Sequence, residues 1–300
     1  MDSKNWLGFE MSVKILVEAL PYIKEFYGSS MVIKIGGRAM LNDEILESTI
    51  KDILLLYFTG IKPVVVHGGG PEVSEKMEKF GIKPKFVNGL RVTDKKTLEI
   101  VEMVLDGKIN SKIVCTFIKN GGKAVGLSCK DGLLIVARKK KIKKKRGEKE
   151  IVVDLGYVGE TEYVNPELVE ILLNKGFIPI ISPIAADLDG NMYNVNADLV
   201  AGSIAGAIKA KKLIVLTDVP GILENVNDKT SVISKLTVSE LEKMLKEGKV
   251  KGGMKPKVEA IITALKNGVE KAHIIDGSKE HSLLLELFTR KGIGTMVVRD

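Results

Sequence analysis

The feature that most constrains this chain is a recurring order: a short apolar run, a glycine turn, then an amphipathic stretch. Met31–Ile35 runs into Gly36-Gly37, and Pro63–Val66 runs into His67-Gly68-Gly69-Gly70 before a helix opened by Pro71. Between them a helix is predicted from about Asn42, a plausible N-cap, to Phe58, with a stop at Gly60. Phe177–Ile181 reads as a buried strand and Ala197–Ala210 as a helix. A second series follows: strand Leu213–Leu216, helices Ser239–Lys246 and Lys257–Asn267, strand His273–Ile275, helix Ser282–Thr289 and strand Gly294–Val298. Alternation of this kind predicts an α/β fold with a mostly parallel sheet and helices on both faces. Lys85–Val92 and Lys123–Val158 carry the turns and short apolar runs of hairpins.

Ahead of the first strand, residues 11–27 place Val13, Leu16, Val17 and Leu20 on one helical face, with Pro21 expected to kink it. Such a helix can pack on its own domain or on a neighbouring subunit. The expected division is 1–27 for this helix, 28–209 for a first lobe and 210–300 for a second.

At 45% hydrophobic and 28% charged, 300 residues suit a globular protein with a substantial core. No apolar run reaches the roughly 18–20 residues needed to cross a bilayer. Asp2 and Glu10 interrupt any signal-peptide core, so a cytoplasmic protein is expected. Cys115 and Cys129 form no CxxC pair and sit in apolar stretches, so both are expected as buried free thiols. Three widely spaced histidines offer no zinc constellation, and no metal ligand is assigned. The formal charge of +8 is concentrated: Arg138–Glu150 holds nine basic and two acidic residues. It is expected as a solvated hairpin tip. Because no aromatic is interleaved there, a nucleic-acid partner is disfavoured.

The two glycine turns put bare backbone N–H groups and a helix N-terminus in front of an anion. Each could equally be a plain tight turn. No GxxxxGK[ST] run exists, and Val73 stands where a dinucleotide fingerprint needs its third glycine. Two clusters favour the anion. Lys257 opens a helix, where the dipole disfavours a cation unless an anion compensates it. Asn196 is a good N-cap, but the neighbouring Asn194 and Asp198 exceed what capping needs.

Six motifs in order resemble the amino-acid-kinase family: Lys34-Ile35-Gly36-Gly37, His67-Gly68-Gly69-Gly70-Pro71, Asn88 to Asp94, Asn194 to Asp198, Leu216 to Gly221 and Gly252 to Lys257. Asn88–Asp94 and Asn194–Asp198 resemble its acetylglutamate branch in particular. The resemblance implies an open αβα sandwich of two lobes that transfers phosphate from Mg-ATP to the γ-carboxylate of N-acetyl-L-glutamate. By position it implies Lys34 and Lys257 as catalytic cations oriented by Asp198. Gly69, Gly70, Arg91 and Asn194 would hold the acyl amino acid, and Gly36, Gly37 and Gly68 would offer N–H groups to the phosphoryl group. Thr217, Asp218 and Met254 would lie by the nucleotide.

The flanks resemble arginine-inhibited members, in which the N-terminal helix interlaces dimers into a hexamer. This implies L-arginine as an inhibitor bound near Tyr22, His273, Glu286 and Gly292; without the resemblance, Glu286 would read as the solvated side of a packed helix. A lysine-pathway kinase acting on a longer acyl amino acid, or an arginine-sensing protein without turnover, would share parts of this pattern. Retention of Lys34, Asp198 and Lys257 together opposes the second.

Overall fold

The computed structural model describes residue 14 and residues 17–146, 149–289 and 292–300. Its centre is an eight-stranded sheet, numbered here along the chain: β1 (Ser30–Ile35), β2 (Lys62–His67), β3 (Ala124–Ser128), β4 (Ile178–Ser182), β5 (Lys212–Thr217), β6 (Lys235–Thr237), β7 (Lys271–Asp276) and β8 (Thr295–Val298). Across the sheet the order is β6-β8-β7-β5-β1-β2-β4-β3. Neighbours are parallel throughout except β7 and β8, which run antiparallel. The expected fold class, an αβα sandwich on a mostly parallel sheet, is what is found.

Strand periodicity explains why both faces are covered. Val32, Val64, Val66, Leu213 and Val215 point to one face and pack with Val200, Ile204, Val258 and Ile261 of helices Ala197–Ala207 and Met254–Lys266. Met31, Ile33, Val65, Ile214 and Leu216 point to the other, against Ile50 and Ile53 of helix Asp43–Phe58 and Leu283 of helix Ser282–Leu287. Apolar residues at consecutive positions are therefore all buried, as a doubly covered parallel strand requires. Asn42 caps its helix as expected, its side-chain oxygen accepting from the Glu44 and Ile45 amides.

The topology also fixes where a ligand can sit. From β1 the chain moves to β2 on one side; from β5, beside β1, it moves to β7 on the other. The connections diverge here, so a crevice opens at the carboxyl ends of β1 and β5. Gly36-Gly37 follows β1 and Asp218 follows β5. The space beside Gly37 is bounded by the Asp218 backbone nitrogen, 3.4 Å from where a Cβ would lie.

Four expectations need correction. The Lys123–Val158 stretch is not one hairpin: β3 joins the central sheet beside β4, and the hairpin is formed by Ile135–Arg146 and Lys149–Val164. Most of the basic run is consequently strand rather than tip, because antiparallel pairing carries the arms out to Arg146 and Lys149. Arg138 pairs with Glu160 at 2.9 Å and Lys139 with Asp154 at 2.9 Å, so acids of the opposite arm partly neutralise it. Helix Met254–Lys266 begins three residues before Lys257. Cys129 is buried as expected, but Cys115 is exposed on the outer face of helix Ser111–Lys119.

Of the N-terminal helix, Val13 and Leu16 lie outside the described residues. Residues 17–26 are helical through Pro21, and Val17 and Leu20 are 62% and 47% exposed, so their face covers nothing among the described residues. The helix is anchored further along, where Phe26 is 2% exposed.

Candidate active site

Lys34 is the fifth residue of β1, Asp198 lies in the first turn of helix Ala197–Ala207, and Lys257 lies in the first turn of helix Met254–Lys266. These two helices approach closely because Gly202 has no side chain: a Cβ there would lie 2.4 Å from the Ala260 carbonyl oxygen. The approach brings the three charges together. Lys34 Nζ lies 2.9 Å from Asp198 Oδ1, and Lys257 Nζ donates to Asp198 Oδ2 at 2.8 Å. Each ammonium is thus tied to its own oxygen of a single carboxylate.

The electrostatics follow from burial. Lys34 and Asp198 are 6% and 5% exposed. Burial pulls the Lys34 ammonium below the ordinary lysine range, with Asp198 opposing the shift and Lys257 adding to it. Burial alone would raise Asp198, but its two lysines outweigh that and hold it below the usual carboxylate range. The carboxylate stays ionised and keeps two cations side by side, with one net positive charge facing the crevice.

Two cavities meet here. The smaller, of about 230 Å³, is lined by Lys34, Asp198, Gly36, Gly68, Gly69, Gly70, Arg91 and Asn194. The larger, of about 930 Å³, is lined by Thr217, Asp218, Met254 and Lys257. Gly37 lines both, so they adjoin at the end of β1. Every residue expected to touch acyl amino acid, phosphoryl group or nucleotide lines one of these two spaces.

Arg91 reaches the smaller cavity from a two-residue hairpin whose central residues, Asn88 and Gly89, both have positive φ. Its guanidinium lies over the Phe86 ring at 4.7 Å and donates to the Gly70 carbonyl and Ser74 Oγ, each at 2.8 Å. These bonds fix the fork at the mouth. Asn194 arrives on a short strand, Met192–Asn194, of a small closed barrel that also holds the roots of the basic hairpin. Gly68 donates its N–H to the Ile35 carbonyl at 3.0 Å, so it lines the cavity with that donor already engaged. Sequence reasoning missed the apolar lining, Met40, Val101 and Leu105. These look like any core residue along the chain.

The C-terminal residues form a second cluster. Glu286 is buried on helix Ser282–Leu287, not solvated: Oε1 pairs with His273 Nδ1 at 2.6 Å, and Oε2 accepts from the Ile293 and Gly294 amides at 2.7 and 3.1 Å. A Cβ on Gly292 would lie 2.9 Å from Glu286 Oε2. Tyr22 packs edge-on against Phe288 with ring centres 6.2 Å apart. A residue not foreseen, Lys212, completes the cluster. Its Nζ lies 3.1 Å from His273 Nε2 and 5.0 Å from the Phe26 ring centre, and burial lowers its pKa to about 8.

The sequence pattern of the amino acid kinase family matches residues 29–276, a span that holds both cavities and the lysine–aspartate–lysine group. The chain belongs to this family. Its similarity to individual members is near full-length. It is 72% identical to an acetylglutamate kinase of Archaeoglobus fulgidus over 286 residues, covering 95% of this chain and 99% of that one. It is 58% identical to an acetylglutamate kinase of Methanocaldococcus jannaschii over 289 residues, covering 96% of each. Among solved structures of the fold, an N-acetylglutamate synthase from Neisseria gonorrhoeae, complexed with coenzyme A and N-acetyl-glutamate, matches with a TM-score of 0.81 at 27% identity. That match covers 96% of this chain and 63% of the synthase, so the chain spans less than two thirds of that longer protein. A carbamate kinase from Giardia lamblia bound to AMP-PNP matches with a TM-score of 0.61 at 18% identity, covering 91% of this chain and 99% of that one, and shares the fold.

Proposed function

We propose that this chain transfers the γ-phosphoryl group of ATP to the side-chain carboxylate of N-acetyl-L-glutamate, forming an acyl phosphate for arginine biosynthesis. The observation that carries the reading is the pair of lysines bound to one buried aspartate where two cavities adjoin. The near full-length similarity to acetylglutamate kinases selects the acceptor.

The chemistry suits these groups. A side-chain carboxylate with a pKa of about 4.3 is already ionised at neutral pH, so the nucleophile needs no general base. The barrier lies in bringing an anion against anionic phosphate and holding it in line. Lys34 and Lys257 meet the charge that develops on the transferring group, with Gly36 and Gly37 adding backbone donors. Asp198 positions both cations and itself touches no phosphate. Gly69, Gly70, Arg91 and Asn194 hold the acyl amino acid in the smaller cavity. Thr217, Asp218 and Met254 border the nucleotide in the larger. Both Asp198 oxygens are occupied by lysines, so we assign Mg²⁺ to the phosphates of the ATP that carries it. The test is nucleotide consumption by the purified protein with acetylglutamate as the acceptor; no consumption would overturn the reading.

We also propose feedback control by L-arginine at the second cluster. Glu286 would face the guanidinium, near His273, Gly292 and Tyr22. The uncovered Val17–Leu20 face supports a role for residues 1–27 in joining dimers into a hexamer, a trimer of dimers. A truncation should stop short of the buried Phe26. Removing residues 1–20 is expected to reduce the particle to a dimer by light scattering and to weaken arginine inhibition, with turnover retained. An unchanged hexamer would contradict this. Free Cys115 and Cys129 fit a cytoplasmic setting, and no helix among the described residues is long and apolar enough to cross a membrane.

A further inference from the structure

His67 ends β2 immediately below the smaller cavity, fully buried, and the proposed chemistry gives it no role. Its ring is held at both nitrogens. Nε2 lies 3.2 Å from Asn110 Nδ2, and Nδ1 lies 2.9 Å from the Gly68 carbonyl oxygen.

The proton on this ring can be placed by elimination. Asn110 Nδ2 also faces the carbonyl oxygens of Ile180 at 2.8 Å and Leu127 at 3.3 Å. Carbonyls only accept, so the amide NH₂ of Asn110 must face them, and a proton on Nε2 would then point at a nitrogen that cannot accept it. Nε2 is therefore unprotonated and Nδ1 carries the proton, which it donates to the Gly68 carbonyl. Both ends of the relay agree on a single neutral tautomer. Burial lowers the ring's pKa to about 4, so it remains neutral across the working range.

The Gly68 carbonyl belongs to the peptide whose N–H is that of Gly69. No peptide bond among the described residues is cis, so this N–H points opposite to its carbonyl. With the carbonyl drawn inward by His67, the N–H is turned outward to the cavity. Gly69 is buried, and among the described residues its N–H has no hydrogen-bond acceptor. The strand-to-helix corner leaves no room to relax: Gly69 has φ +156°, and a Cβ there would lie 2.3 Å from Ile109 Cδ1. Ile109 neighbours Asn110 at the end of the π-helical stretch Met103–Asn110, so one segment both packs Gly69 and fixes the relay.

We propose that His67 is a positioning residue, which, held by Asn110, locks the Gly68–Gly69 peptide so that the Gly69 N–H is aimed at the acyl amino acid. This rests on the acceptor reading above. One preorganised donor to a charged substrate is at stake, so the defect belongs to acceptor binding and not to nucleotide binding.

The test compares the unmutated enzyme with His67→Leu and His67→Asn. His67→Leu is expected to raise the KM for acetylglutamate about 10-fold or more, with the KM for ATP within about twofold. His67→Asn, whose amide nitrogen sits where Nδ1 was, should recover most of that loss. Equal rises in both KM values, or no recovery with asparagine, would overturn the proposal. Should His67→Leu fail to fold, the asparagine variant and nitrogen NMR of the unmutated protein decide. The ring is expected to carry its proton on Nδ1, and a proton on Nε2 would overturn the proposal. Absence of acetylglutamate turnover in the unmutated enzyme would instead sink the acceptor reading, and the tautomer is read without any substrate.

Discussion

Lys34→Ala and Lys257→Ala should each lower kcat by about 10²–10³ with the fold intact, the typical cost of removing one preorganised donor at a developing charge. Neither lysine has a structural task that alanine would expose. Lys34 lies next to the end of a strand already paired on both sides, with β2 and with β5. Lys257 sits in the first turn of a helix whose buried face begins at Val258. Each change leaves Asp198 one ammonium partner, so no carboxylate is stranded. The expected signature is a loss in kcat exceeding any change in either KM, with circular dichroism and thermal unfolding close to the parent. Turnover within a few-fold of the parent in either variant would contradict the assignment of these cations to phosphoryl transfer.

Asp198→Asn is expected to damage both activity and stability, and that contrast with the lysine variants is informative. Asparagine is isosteric but supplies no charge to hold two ammonium groups, the buried Lys34 and the half-buried Lys257, 2.9 and 2.8 Å from one carboxylate. Lys34, whose pKa burial already lowers, then either stays charged without a counter-charge or gives up its proton. Either route disrupts the cation pair, so kcat should fall at least as far as in the lysine variants. Breaking a buried pair by removing one partner costs about 3–5 kcal/mol, so the melting temperature should fall on the order of 10 °C.

The pH dependence has a definite sign. Asp198 has a folded pKa below its unfolded one, so its contribution is present above the ordinary carboxylate range and lost as pH falls through the folded value. The parent should lose this stability on acidification, and the variant should lack that component. Unfolding curves for parent and variant that stay parallel from neutral pH downward would contradict the pairing.

What the sequence shows of the site depends on whether the signal is local. Lys34, the glycine turns, Asp198 and Lys257 lie where a strand meets a turn or a helix starts, and each carries residues that simple capping or turning does not require. The alternation of elements likewise implies a doubly covered parallel sheet. Strand order is different. Nothing in the spacing says that the strand order switches sides at β1, or that β8 enters antiparallel.

Buried partners assembled from distant segments are also hidden. Lys212 reads as an ordinary polar strand start until His273 and Phe26 close over it. Asn110 reads as a helix residue until β3 and β4 present their carbonyls to it. The basic run looked like a tip because charge suggests solvent, whereas antiparallel pairing extended it into strands with acids opposite.

The most direct test of the central claim is capture of the product. Purified protein is incubated with Mg-ATP, N-acetyl-L-glutamate and hydroxylamine, which converts an acyl phosphate to a coloured hydroxamate. Hydroxamate is expected in step with ADP, dependent on both substrates, and reduced by about 10²–10³ in Lys34→Ala. Hydroxamate formation by Lys34→Ala at the parent rate, or its absence with the unmutated protein, would contradict the account.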